Sequence, residues 1–342
     1  MSANRPQVFN YKIRSRKERQ RWLRPVQCLA LLLLAALGCV SAAAQSVAYV
    51  PTRKSNSVAV INTATNSVID VIPVEIQPLS GAISPNGQEV YVTNSGWIFG
   101  SNSVSVINTI TNTVVATIPV GNFPIGVAFT PNGAFAYVAN SNANSVSVID
   151  TATRTVVSTI NVGASPWGVA FTPNGAFAYV TNQSANNVSV IDTATKSVVA
   201  TVPVGNNPVG LAITPDGAFA YVANYLSNSV SVISTATNTV VNTIAVGATP
   251  ITVAITPNGS SAYVPNDGSN KVSVINAASN TVTATIAVQA NPRGVAITRD
   301  GALAYVSNRI ANTVFSVVNT ATNSVVATVM GVALFPEAVI IR

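Results

Sequence analysis

Histidine is absent from all 342 residues. Without imidazole the chain cannot build a His-ligated metal site, a His-dependent hydrolytic triad or a His-dependent lyase centre. Its two cysteines, Cys28 and Cys39, both precede residue 45, so the body of the chain has neither thiolate chemistry nor disulfides. Most acids have a local explanation. Asp150 and Asp192 follow VSVI runs, and Asp216 and Asp300 sit before the Gly of tight turns, where a short carboxylate caps nearby backbone N–H groups. Asp70, Glu75, Glu89, Asp267 and Glu337 stand outside those shared turns. Nothing in their spacing suggests the facing carboxylate pair of a glycosidase, and Asp267-Gly268 lacks the spaced acids of a calcium loop. The residues best suited to hold a ligand are Trp97, Phe99, Trp167, Tyr225, Arg293, Arg309 and Glu337, which offer aromatic area, two cations and one anion.

These residues are carried by a repeat. A Tyr-Val pair returns at Tyr49, Tyr91, Tyr137, Tyr179, Tyr221, Tyr263 and Tyr305; five of the six gaps are 42 residues and one is 46. A fixed period of that size means a repeat architecture. The unit from Pro124 to Gly163 has four short runs, GVAFT, FAYVA, VSVI and TVVSTI, rich in β-branched and aromatic residues and separated by turn residues. No helical spacing is present, and the intervals are too short for helical crossovers. Each unit therefore reads as a four-stranded antiparallel meander. Seven units predict an all-β, seven-bladed propeller. The chain enters on a second strand, Val47–Val50, and leaves on a first strand, Ala338–Ile341. One blade is thus split, with a C-terminal innermost strand joining three N-terminal strands to close the ring. One extra residue near Phe315 predicts a bulge in the seventh unit.

Tyr91-Val92-Thr93-Asn94 and Tyr179-Val180-Thr181-Asn182, with the flanking VSVID and PNG or PDG turns, resemble the YVTN family of β-propeller repeats from about residue 47 to 342. Thr52 and Pro265 are small departures. The resemblance implies a seven-bladed propeller at the cell surface or in the periplasm, and no single activity. Comparing the seven copies with one another sorts structure from function, because a residue present in every blade is needed by every blade. The seven tyrosines read as core and the Asn of YVxN as a strand-end cap.

Function is expected where the copies differ. The position after the blade-opening Pro holds Leu79, Ile125, Trp167, Val209, Ile251, Arg293 and Glu337. In WD-repeat propellers, which the architecture resembles, this position lies at one mouth of the central channel. It would form an apolar pocket with two polar anchors, or rim packing with an Arg293–Glu337 ion pair. The loop after YVxN is longest in the second blade, where it carries Trp97 and Phe99; Tyr225 and Arg309 occupy it in the fifth and seventh. These residues predict an aromatic ligand face on the same side.

The net charge of +7 belongs to residues 1–44, which hold eight Lys or Arg against Glu18; the remaining chain has nine basic and nine acidic residues. A nucleic-acid partner is therefore not expected. The basic stretch, the apolar Cys28–Gly38 core and Ser41-Ala42-Ala43-Ala44 read as a signal segment over 1–44, with lipidation at Cys39 an alternative that would add a membrane attachment. Residues 45–342 form the propeller. The reading is an exported, monomeric, non-catalytic binding or scaffold module of the periplasm or cell surface, without cofactor, for a protein, cell-wall glycan or small molecule. Two further classes stay open: a lactonase-like hydrolase using Arg293 and Glu337 in the channel, and a binder of single-stranded nucleic acid that stacks bases on aromatic rings.

Overall fold

The computed structural model describes residues 47–96, 101–309, 313–330 and 336–341. The N-terminal segment with Cys28 and Cys39, and the loop residues Trp97 and Phe99, lie outside the described residues. Seven four-stranded antiparallel sheets follow one another along the chain, each built in sequence order from the channel outward. The closing blade is the exception. Its innermost strand, Ile340–Ile341, pairs with Val47–Thr52 through Tyr49↔Ile340 and Ala48↔Ile341, so the two chain ends share one sheet as expected. The register shift at Thr313/Phe315 supplies the bulge, and Phe315 is fully buried.

The second and third strands of each blade are sandwiched by neighbouring blades and bury nearly every side chain, which is why VSVI is apolar on both faces. The outermost strands behave differently. Blades fan apart toward the perimeter, so Val157, Val199 and Val326 are half-exposed, at 51–56%. Coverage on both faces therefore does not explain the VVATI runs, whose β-branched residues fit an edge strand with only one buried position near its end.

The repeated polar residues weld the blades together. Tyr49, Tyr179, Tyr221, Tyr263 and Tyr305 are buried rings whose hydroxyls donate to Asn112, Asn238, Asn280, Asn323 and Asn66 of the next blade, at 2.6–3.3 Å. In two blades that Asn is replaced by Arg154 or Lys196. There the Tyr91 hydroxyl is buried with no hydrogen-bond partner, while Arg154 pairs with Glu89 at 2.6 Å. The Asn of YVxN closes the second strand from inside the blade. Asn94, Asn140, Asn182 and Asn224 are fully buried, and each donates through Nδ2 to a third-strand serine at 2.9 Å, clamping the two central strands of the blade.

At the channel the innermost strands approach too closely for side chains. A Cβ on Gly126 would run into the Trp167 carbonyl oxygen, and one on Gly210 would lie 2.6 Å from the Ile251 carbonyl oxygen. The sixth blade puts Thr252 in this slot. Its innermost strand is reduced to Ala254–Ile255, with an isolated bridge at Pro250↔Asn266, and Thr252 donates instead to the Arg293 carbonyl at 2.6 Å.

Candidate functional site

Blades two to seven each deliver two residues to one end of the channel by the same local device. The residue before the blade-opening Pro adopts a left-handed backbone (Gln77, Phe123, Ser165, Asn207, Thr249 and Asn291). Its carbonyl accepts the N–H of the residue that follows YVxN, as in Asn207 to Tyr225, Thr249 to Asp267 and Asn291 to Arg309, at 2.9–3.0 Å. The position after Pro and the position after YVxN are therefore held side by side on one face.

Between them lies a cavity of about 360 Å³, within the range of small-molecule pockets. Leu79, Ile125, Trp167, Ile251, Arg293 and Glu337 all line it, together with Phe123 and the channel glycines. Six of the seven post-proline residues thus converge. Val209 does not, being only 2% exposed and turned into the packing between the fifth and sixth blades. One wall is apolar and aromatic; the other is charged.

The charged wall comes from blades seven, one and six. Arg293 Nη1 donates to Glu337 Oε2 at 2.9 Å, and Arg309 Nε lies 3.6 Å from Glu337 Oε1. Arg293 Nη2 is 3.9 Å from Asp267 Oδ2. The Glu337 side chain is 5% exposed, so this is a largely desolvated cluster rather than a rim pair. Burial lowers the Arg309 pKa first; the Arg293 cation then lowers it by more than the Glu337 carboxylate raises it, and Arg53 adds to the effect. Arg293 Nε and Asp267 Oδ1 are buried without hydrogen-bond partners. Arg309 and Asp267 stand behind Glu337 and Arg293 and do not line the cavity.

The aromatic expectation changes. Tyr225 is not an exposed anchor: it is half-buried and, like Trp167, packs against the core cluster around Val209 and Val253. Trp167 nevertheless also faces the cavity, whereas the exposed apolar residue of the fifth-blade loop is its neighbour Leu226, at 63%. Two contributors escape a reading of single residues, Arg53 in the cavity wall and Asp267 behind it. Both occupy the position after YVxN. Reading that position through all seven copies (Arg53, Ser95, Ser141, Gln183, Tyr225, Asp267, Arg309) puts its charges on the contiguous blades six, seven and one.

Fold and site together define a seven-bladed propeller with a mixed apolar and charged pocket at the channel mouth. More particularly, the chain belongs to the Lactonase, 7-bladed beta-propeller family, whose model matches residues 103–201 and 153–291. No curated protein matches the sequence. Among solved structures the chain is similar to hydrazine synthase of Kuenenia stuttgartiensis, with 24% identity over 79% of this chain and 91% of that one and a TM-score of 0.71. It is also similar to a functionally unknown protein from Desulfotomaculum acetoxidans DSM 771, with 21% identity over 86% and 98% and a TM-score of 0.75. At these identities the likeness is one of fold.

Proposed function

We propose that the protein is an exported, non-catalytic binding propeller that takes a small ligand at the channel mouth. The observation that carries this reading is the cavity itself: Trp167, Phe123, Leu79 and Ile125 oppose Arg53, Arg293 and Glu337 across about 360 Å³. Binding is favoured over turnover because both Glu337 oxygens already face guanidinium groups, and the chain has no histidine to activate water. The leader supports export to the periplasm or cell surface, and the YVTN repeats support kinship with that repeat family.

A second reading, lactone hydrolysis in the channel, is favoured by the family description and by the Arg293–Glu337 pair lining the cavity. One experiment separates the two. The protein from Gln45 onward is screened against small carboxylates, alcohols, sugars and lactones by thermal shift and Trp fluorescence, and the lactones are also followed for acid release. Saturable binding without turnover supports the binding module. Turnover that disappears in Arg293→Met and Glu337→Gln supports the hydrolase. Absence of any binding, or binding untouched by Trp167→Ala, refutes the mouth as the site.

A further inference from the structure

The cavity wall contains one cation more than its own carboxylates can neutralise. Arg53, Arg293 and Glu337 line the cavity, with Arg309 and Asp267 behind them, so two cations meet one anion at the wall and three meet two over the whole cluster. The surplus can be placed on one residue. Glu337 takes Arg293 and Arg309, and Asp267 stands behind Arg293. Arg53 lines the cavity and has no carboxylate within ion-pair distance among the described residues. It is held by the loop after Thr52, where the closing strand begins to pair through Pro336↔Thr52. The rest of the lining, Phe123, Ile125, Leu79 and Trp167 with Ser80, Thr252 and the channel glycines, carries no further charged side chain.

We infer that the ligand of this pocket is a small monocarboxylate with an apolar body, its carboxylate on Arg53 and its body against Trp167, Phe123 and Ile125. This rests on the proposed binding site at the channel mouth and adds the ligand's chemical class. A guanidinium presents paired N–H donors that match a carboxylate edge. Arg293 is fixed by Glu337 and cannot turn to the ligand without breaking a 2.9 Å bond, which leaves Arg53 as the cation open to it. A dianion is disfavoured because one surplus cation cannot neutralise it beside the Glu337 carboxylate.

The test uses 4-phenylbutyrate, its neutral isostere 4-phenylbutyramide and the dianion phenyl phosphate, titrated calorimetrically into the protein from Gln45 onward. The expected result is that the carboxylate binds about tenfold or more tighter than the amide and tighter than the phosphate, the scale of one charge-assisted contact. Arg53→Gln should erase the carboxylate preference, and Arg53→Lys should keep most of it. Melting temperatures show that both variants fold. Equal binding of carboxylate and amide, or a preference that survives Arg53→Gln, overturns the monocarboxylate assignment and leaves the mouth site standing. Tighter binding of the phosphate overturns it in favour of a dianion. If neither 4-phenylbutyrate nor its amide binds while other compounds in the screen do, the ligand class is wrong; if nothing binds, the mouth site fails with it.

Discussion

Replacing Glu337 by Gln tests whether the charged wall is desolvated. The carboxylate sits between Arg293 at 2.9 Å and Arg309 at 3.6 Å, with side-chain exposures of 5% for Glu337, 17% for Arg293 and 28% for Arg309. Breaking a fully buried pair on one side costs about 3–5 kcal/mol, because the remaining charge stays buried without compensation. Both arginines keep some solvent, so the expected cost is lower, about 2–3 kcal/mol, or a melting temperature lowered by about 4–6 °C for a domain of this size. In an Arg293→Met background the same change removes only the longer Arg309 contact and should cost about 1 kcal/mol. The coupling between the two sites is then about 1–2 kcal/mol, read by urea unfolding of the four proteins of the cycle. A cost below about 0.5 kcal/mol for Glu337→Gln, or no coupling, is the value of a solvated surface pair. That result would refute the argument that this wall is a dry edge poised for a ligand.

Tyr179→Phe removes a 2.6 Å hydrogen bond to Asn238 and should cost about 1 kcal/mol, whereas Tyr91→Phe removes a buried hydroxyl without a partner and should be neutral or stabilising; thermal melts compare the two directly. Burial raises the pKa of both phenols from 10.0 to about 12, so the native state holds protons that the unfolded chain gives up; their contribution is intact below pH 10 and is lost as pH rises from 10 through 12, to be followed by circular dichroism. Gly126→Ala drives a methyl into the Trp167 carbonyl and should lower stability by about 1–3 kcal/mol, with the shift in melting temperature as readout. Removing the chain from Pro336 onward strips the strand that pairs with Tyr49 and should produce aggregation or a large loss of thermal stability, and a truncated protein that melts like the intact one would contradict ring closure by that strand.

Why the fold was legible and the site only partly so follows from how the repeats work. Tyr49 to Tyr305, the VSVI runs and the glycine turns obey the same local rules in every blade, so strand order, the split blade and the bulge near Phe315 could be read directly. Arg293 and Glu337 were legible because a shared position changed character in two adjacent blades. Arg53 and Asp267 were not, because each looks like an ordinary loop residue until the seven copies are superposed. Tyr225 misled for a physical reason: a half-buried tyrosine beside Val209 and Val253 has the same sequence signature as an exposed hot spot, and only inter-blade packing tells them apart. The role of the YVxN asparagine was hidden similarly, since its serine partners lie on the next strand.

The central claim is that the channel mouth, rather than another surface, is where this propeller meets its ligand. A crystallographic fragment screen tests it most directly. The account predicts that bound fragments concentrate between Trp167 and the Arg53–Arg293–Glu337 wall. Fragments that leave this cavity empty and gather instead in the polar cleft around Glu89 and Arg154, on the side of the tight Gly turns, would contradict it.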